Sequence, residues 1–109
     1  MSRTVKIIEC HRDPAIIDEQ IRNILANDGY KLINYNDEMV WKMGTGLMTA
    51  MHYIKFEFSD NVLCISGWVQ GGTGSVVGGK EHDLTGFTAA IPKKSVAKTM
   101  TKIETVATQ

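Results

Sequence analysis

The stretch HYIKFEFSDNVLCISGWVQ, residues 52–70, decides the fold. His52, Ile54, Phe56 and Phe58 alternate with Tyr53, Lys55 and Glu57, the period-two pattern of a strand with one face on a core. The first set is expected to face that core. Ser59, Asp60 and Asn61 are turn formers. Residues 62–70 are nearly continuously apolar, as in a central strand, with Gly67 expected to leave space beside Trp68. Together the two runs predict an antiparallel hairpin.

Upstream lies WKMGTGLMTAM, residues 41–51, where Gly44 and Gly46 interrupt a strand-like run. This is read as a joint through which one hairpin hands the chain to the next. Residues 30–35 and 39–43 are strand-like and are separated by Asn36, Asp37 and Glu38, so they too should pair antiparallel. Before them, TVKIIE at 4–9 is a short strand rich in branched residues, and Asp13 followed by Pro14 reads as an N-cap and a first helical residue. Ile17, Ile21, Ile24 and Leu25 form one apolar stripe, and Gly29 suits the left-handed position past the helix end.

Downstream, GGTGSVVGG at 71–79 holds five glycines in nine residues and reads as a loop. Residues 80–87 are expected to form a last edge strand. Pro92 then opens a helix running to about residue 105, with Val96, Met100 and Ile103 on its buried stripe. The order strand, helix, strands, helix predicts a single α+β domain over 1–109. It has an antiparallel sheet of about five or six strands, with both helices packed on it. A helix-grip arrangement, with the sheet curved around the C-terminal helix, is one form of that architecture.

Composition narrows the function. Hydrophobic residues make up 43% and charged residues 22%, values ordinary for a folded globular domain. Twelve basic and twelve acidic side chains cancel, which removes the cationic field that non-specific nucleic-acid binding needs. No run approaches the roughly 18 apolar residues of a membrane span, and MSRTVKIIEC lacks the apolar core of a secretory signal, so a cytoplasmic location is expected. Cys10 and Cys64 each sit in a strand-like run and read as small buried hydrophobes.

No chemical motif completes itself. Gly74 to Lys80 fits the spacing of a phosphate-binding loop, but Glu81 stands where a magnesium-holding hydroxyl belongs and no helix starts at Lys80. Cys10, His11, His52, Cys64 and His82 show no paired-ligand spacing, so neither metal nor cofactor is expected. His52 reads as a core histidine bonded to backbone. An enzyme would need His52, His82 and Asp83 to converge in a cleft.

Two surfaces remain as candidate binding sites. Met43, Leu47, Met48 and Met51, with Trp41 beside them, either fill irregular core space or present an adaptable apolar contact. Lys93 and Lys94 lie in the first turn of the second helix, where its dipole disfavours cations. Lys94, Lys98 and Lys102 form a stripe at i, i+4 that reads as a solvated face or as a contact for an acidic partner or anionic surface.

The segments VWKMGTGLMTAMHYIKFEF, ISGWVQGGTGSVVGGKEHDLTGF and AAIPKKSV together resemble an uncharacterised domain of Gram-positive bacterial proteins, often described only as zinc-ribbon-containing or hypothetical. The likeness spans residues 40–96. It implies an accessory module with no established activity, and it carries no catalytic assignment that could be transferred to Trp41, Trp68 or Lys93. The cysteine pairs of the ribbon itself are absent here. The expectation is a non-enzymatic interaction or accessory domain that meets a protein partner or a second copy of itself. The alternative is a binder of small apolar ligands, with a cavity between sheet and C-terminal helix lined by Trp68, Phe56 and Met100.

Overall fold

The branched residues of 4–9 extend into β1 (Thr4–Glu9), and the chain then turns into α1 (Pro14–Asn27). The Asp13 carboxylate accepts the Ala15 N–H at 3.0 Å, satisfying one of the donors a helix start leaves open. Gly29, at φ 93°, carries the chain away from the helix end, where the Tyr30 N–H donates to the Leu25 carbonyl at 2.9 Å. The remaining elements are β2 (Lys31–Tyr35), β3 (Glu38–Met43), β4 (Ala50–Ser59), β5 (Val62–Gly71), β6 (Glu81–His82) and α2 (Ala90–Ala107). This computed structural model describes residues 3–35, 37–43, 50–71, 81–82, 84 and 90–109. The joint at 44–49, the loop at 72–79 and most of the strand expected at 80–87 lie outside the described residues.

The sheet is antiparallel, in the order β1-β5-β4-β3-β2, with β6 pairing β5 beyond the end of β1. Phe56 pairs with Ile65 and Tyr53 with Trp68, so β4 and β5 form the expected hairpin, closed at Ser59 and Val62 with Asp60 at φ 53°. Tyr35 pairs with Glu38 in the second hairpin, where Asp37, at φ 68°, is held by the Asn34 side chain at 3.1 Å. The α+β architecture and element order are as the sequence predicts.

Both helices cover one face. Ile54, Leu63, Ile65 and Val69 from the sheet meet Val96, Met100 and Ile103 of α2 and Ile17, Ile21 and Leu25 of α1. The second helix lies over β5, β4 and β1, and the first packs against the second. α2 runs two residues beyond the expected range at either end. Pro92 is tolerated inside because first-turn amides have no intrahelical acceptor to lose. Threonine hydroxyls at 101, 105 and 108 bond back to the carbonyl four residues earlier. Arg12 secures the far end by donating to the Val106 carbonyl and to Gln20.

Two expectations are corrected on the other face. Tyr53, assigned by its alternation to the side away from the core, is only 2% exposed, and Val40 and Trp68 are fully buried beside it. Gly67 does not make room for Trp68, because successive strand residues point to opposite faces. It makes room for α2: a Cβ there would collide with Met100 Sδ and stand 3.0 Å from Val96 Cγ1. Trp68 and Met100 therefore lie on opposite sides of the sheet and do not line a common cavity. Cys10 and Cys64 are free thiols. No helix among the described residues is long and apolar enough to cross a membrane.

Candidate functional site

Because α2 occupies the middle of the sheet and α1 leans on α2, the β2–β3 hairpin extends past the helices. Leu32 and Trp41 are directly opposed in that hairpin, and Met39 shares their face by parity. They form a groove of about 270 Å³ with Phe56, Glu57 and Phe58 of β4, walled on its other side by Asp18 and Arg22 of α1. The groove is open: Leu32 is 42% and Met39 53% exposed. Arg22 is held by Asp18 at 2.6 Å, one helical turn away, and its guanidinium stands 5.8 Å from the Trp41 ring centre and 5.9 Å from that of Phe56. Phe56 and Phe58 meet edge to face at 6.2 Å.

The lining determines what the groove can do. Among the described residues its lining holds no histidine, cysteine, serine, threonine or lysine, and its ionisable groups are Asp18, paired with Arg22, and Glu57. It does present flat aromatic floor, two unbranched or flexible apolar side chains and an arginine-carboxylate rim, which suits capture of apolar side chains.

The residues singled out in the sequence do not assemble into one surface. Trp41 and Met43 are half-buried on the helix face, Trp41 in the groove and Met43 against Gly29. Met51 and Trp68 are on the opposite face, where Met51 accepts the Tyr53 hydroxyl at its sulfur at 3.5 Å. Leu47 and Met48 lie outside the described residues. Lys93 is buried, Lys94 and Lys98 are exposed, and Lys102 is tied to Asp28 at 2.9 Å, so the lysine stripe is not a uniform free row. Burial works to raise the pKa of the Asp28 carboxyl, but the Thr99 hydroxyl and the Lys102 ammonium outweigh it and hold the group below its usual range.

The expectation for His52 changes too. Burial lowers its pKa, and among the described residues its Nδ1 has no hydrogen-bond partner, whereas a backbone partner was expected. His82 shares its register level across Val69, two strands away, and Asp83 lies outside the described residues. Among the described residues no cluster of three or more His, Cys, Asp or Glu side chains could hold a metal ion.

Leu32, Met39 and Arg22 are among the groove residues that the sequence reading did not single out, as are Asp18, Glu57 and Phe58. Parity within the second hairpin was the available signal, since closure at Tyr35 and Glu38 places Leu32 across from Trp41. A scan against models of protein families and searches of curated proteins and solved structures found no match to the chain.

Proposed function

We propose that this chain is a non-enzymatic interaction domain whose groove between α1 and the β2–β3 hairpin receives apolar side chains of a protein partner, in the cytoplasm. The observation that carries this reading is the exposure of Leu32 and Met39 on an aromatic floor, next to an arginine already oriented by Asp18. Scattered exposed apolar residues need no explanation, whereas contiguous ones in a concave site do. The openness of the groove favours a peptide segment over a small ligand, because small-molecule sites enclose roughly 70–90% of what they bind.

The test is selection of peptides from a random library on the immobilised chain, followed by amide and indole NMR shifts. Selected peptides carrying Leu, Met or aromatic anchors should shift Leu32, Met39 and the Trp41 indole. Binding to a Leu32→Ser/Met39→Ser variant should fall about tenfold or more, the loss expected from two partly buried apolar side chains. Equal binding to that variant, or shifts confined to other surfaces, would remove the reading.

A further inference from the structure

The two edges of the sheet are finished differently. On β2, Ile33 and Tyr35 are half-buried against the aromatic cluster of the outer face. On β1, Val5 is 53% and Ile7 73% exposed, and Glu9 is exposed beside them. Among the described residues no strand pairs with β1 on the side away from β5.

One hydrogen bond gives the orientation of that free edge. The Cys10 N–H donates to the Asn61 carbonyl at 2.7 Å, continuing the register in which Glu9 pairs with Val62. Antiparallel strands turn the N–H and C=O of alternate residues toward the same side. Ile8, Lys6 and Thr4 therefore address β5, and Glu9, Ile7 and Val5 present their backbone groups outward. The residues with outward backbone groups are the same ones whose side chains lie on the outer face.

We propose that β1 pairs antiparallel with β1 of a second copy of this chain, about a two-fold axis normal to the sheet and centred on Ile7. Such an axis keeps helix face beside helix face and matches only residues of equal parity. Centred on Ile7, it sets Ile7 against Ile7 and Val5 against Glu9, so each outward-facing residue both donates and accepts. Centred on Lys6, it would oppose two lysines at the close, non-hydrogen-bonded spacing, which like charges disfavour. Centred on Val5 or Ile8, it would leave an outward residue of β1 without a β1 counterpart.

Charge agrees with the Ile7 register. Lys6 then faces Ile8 of the other copy and keeps its own Glu104 at 3.6 Å. Glu9 comes opposite Val5 of the other copy and meets no like charge, while each Arg3 stays on its own Trp68 and Glu38. Edge strands commonly carry a charge or a proline that blocks addition. Here the central charge, Lys6, projects on the helix face toward Glu104, so it leaves the outer-face apolar pair unguarded. The pairing uses the sheet edge opposite the β2–β3 hairpin, so it is independent of the groove and leaves it open.

Light scattering of the full chain over a dilution series tests this. The expected result is twice the monomer mass, with Ile7→Lys and Ile7→Glu each weakening association about tenfold or more. An equimolar mixture of those two variants should recover the dimer, because residue 7 faces its own copy. Ile7→Pro should also abolish the dimer, since the amide it removes points away from β5, and an unchanged far-UV spectrum would show that the sheet survives. A wild-type chain that is monomeric throughout, or a dimer indifferent to these changes, overturns the proposal. Charged variants that dissociate but fail to recombine overturn the Ile7-centred register, and a monomer that takes up an extended foreign peptide on β1 assigns the edge to another protein.

Discussion

Each face of this sheet carries a buried cluster, formed by different means. The helix face is aliphatic, and Ile54, Leu63 and Ile65 are dry because two amphipathic helices lie on them. The outer-face cluster contains no helix residue among those described, yet Val40 and Trp68 are fully buried and Tyr53 nearly so. Large flat side chains cover one another there: Tyr53 stacks on Trp68 at 5.2 Å with planes 9° apart, and Tyr35 tilts against Tyr53 at 4.9 Å. The Arg3 guanidinium lies 3.7 Å from the Trp68 ring centre and makes a two-pronged pair with Glu38 at 2.9 and 3.1 Å. A sheet face can thus be dried by its own aromatic pairs and a stacked arginine; the Tyr35 hydroxyl donates to Gln70 at 3.0 Å, while the buried Trp68 Nε1 has no hydrogen-bond partner among the described residues.

If the outer cluster is a second core, Trp68→Ala should cost about 3–5 kcal/mol of unfolding free energy, as much as a deep truncation on the helix face. Chemical denaturation of Trp68→Ala beside Ile65→Ala measures this directly. A cost for Trp68 near that of a surface change would reduce the outer face to decoration.

Gly67→Ala should destabilise by about 1–3 kcal/mol through crowding of Met100 and Val96 on the helix face, with the outer aromatic contacts unaltered. Near-ultraviolet circular dichroism in the native state separates the two, since the Trp68 signal should persist. A double-mutant cycle of Tyr53→Leu and Trp68→Leu should return a coupling of about 0.5–1.5 kcal/mol, and zero coupling would mean that the stacking adds nothing beyond area.

Acidification should separate the faces by pH. His52, on the helix face, has its pKa lowered from 6.5 by burial, so the unfolded chain binds the proton first. Stability is fully present above 6.5 and declines as pH falls from there toward the lower folded value. Glu38, on the outer face, is held below its usual 4.5, first by the Arg3 hydrogen bond, which with Lys55 outweighs burial. Its contribution persists until pH falls below 4.5 and is lost through the folded value. Melting temperature against pH should therefore show two declines, the upper flattened by His52→Gln and the lower by Glu38→Gln. A single decline unaffected by His52→Gln would contradict the assignment.

Much of the architecture was legible because its causes are local. Asp13 and Pro14 start α1 where cap chemistry says they should, Gly29 ends it, and Val96, Met100 and Ile103 are buried at helical spacing. The candidate site was less legible. Trp41 was read as a contact residue and does line the groove, but Met51 and Trp68 went to the other face, and Leu32, Met39 and Arg22 were not singled out. Residues 32, 39 and 22 come from three elements, and nothing in their local spacing states that α1 stops short of the β2–β3 hairpin.

The amino-acid sequence by itself determined the elements, their turns and which residues of each strand share a face, since these follow from dihedral preferences and periods of 2 and 3.6 residues. Only the tertiary structure decided what covers each face. Pairing β1 with β5 is a contact between distant segments, and it leaves Ile7 on an edge that no other strand pairs among the described residues. Alternation likewise separates Tyr53 from Ile54, but whether the side away from the helices meets water or Trp68 depends on cross-strand register and neighbouring side chains, which no single strand encodes.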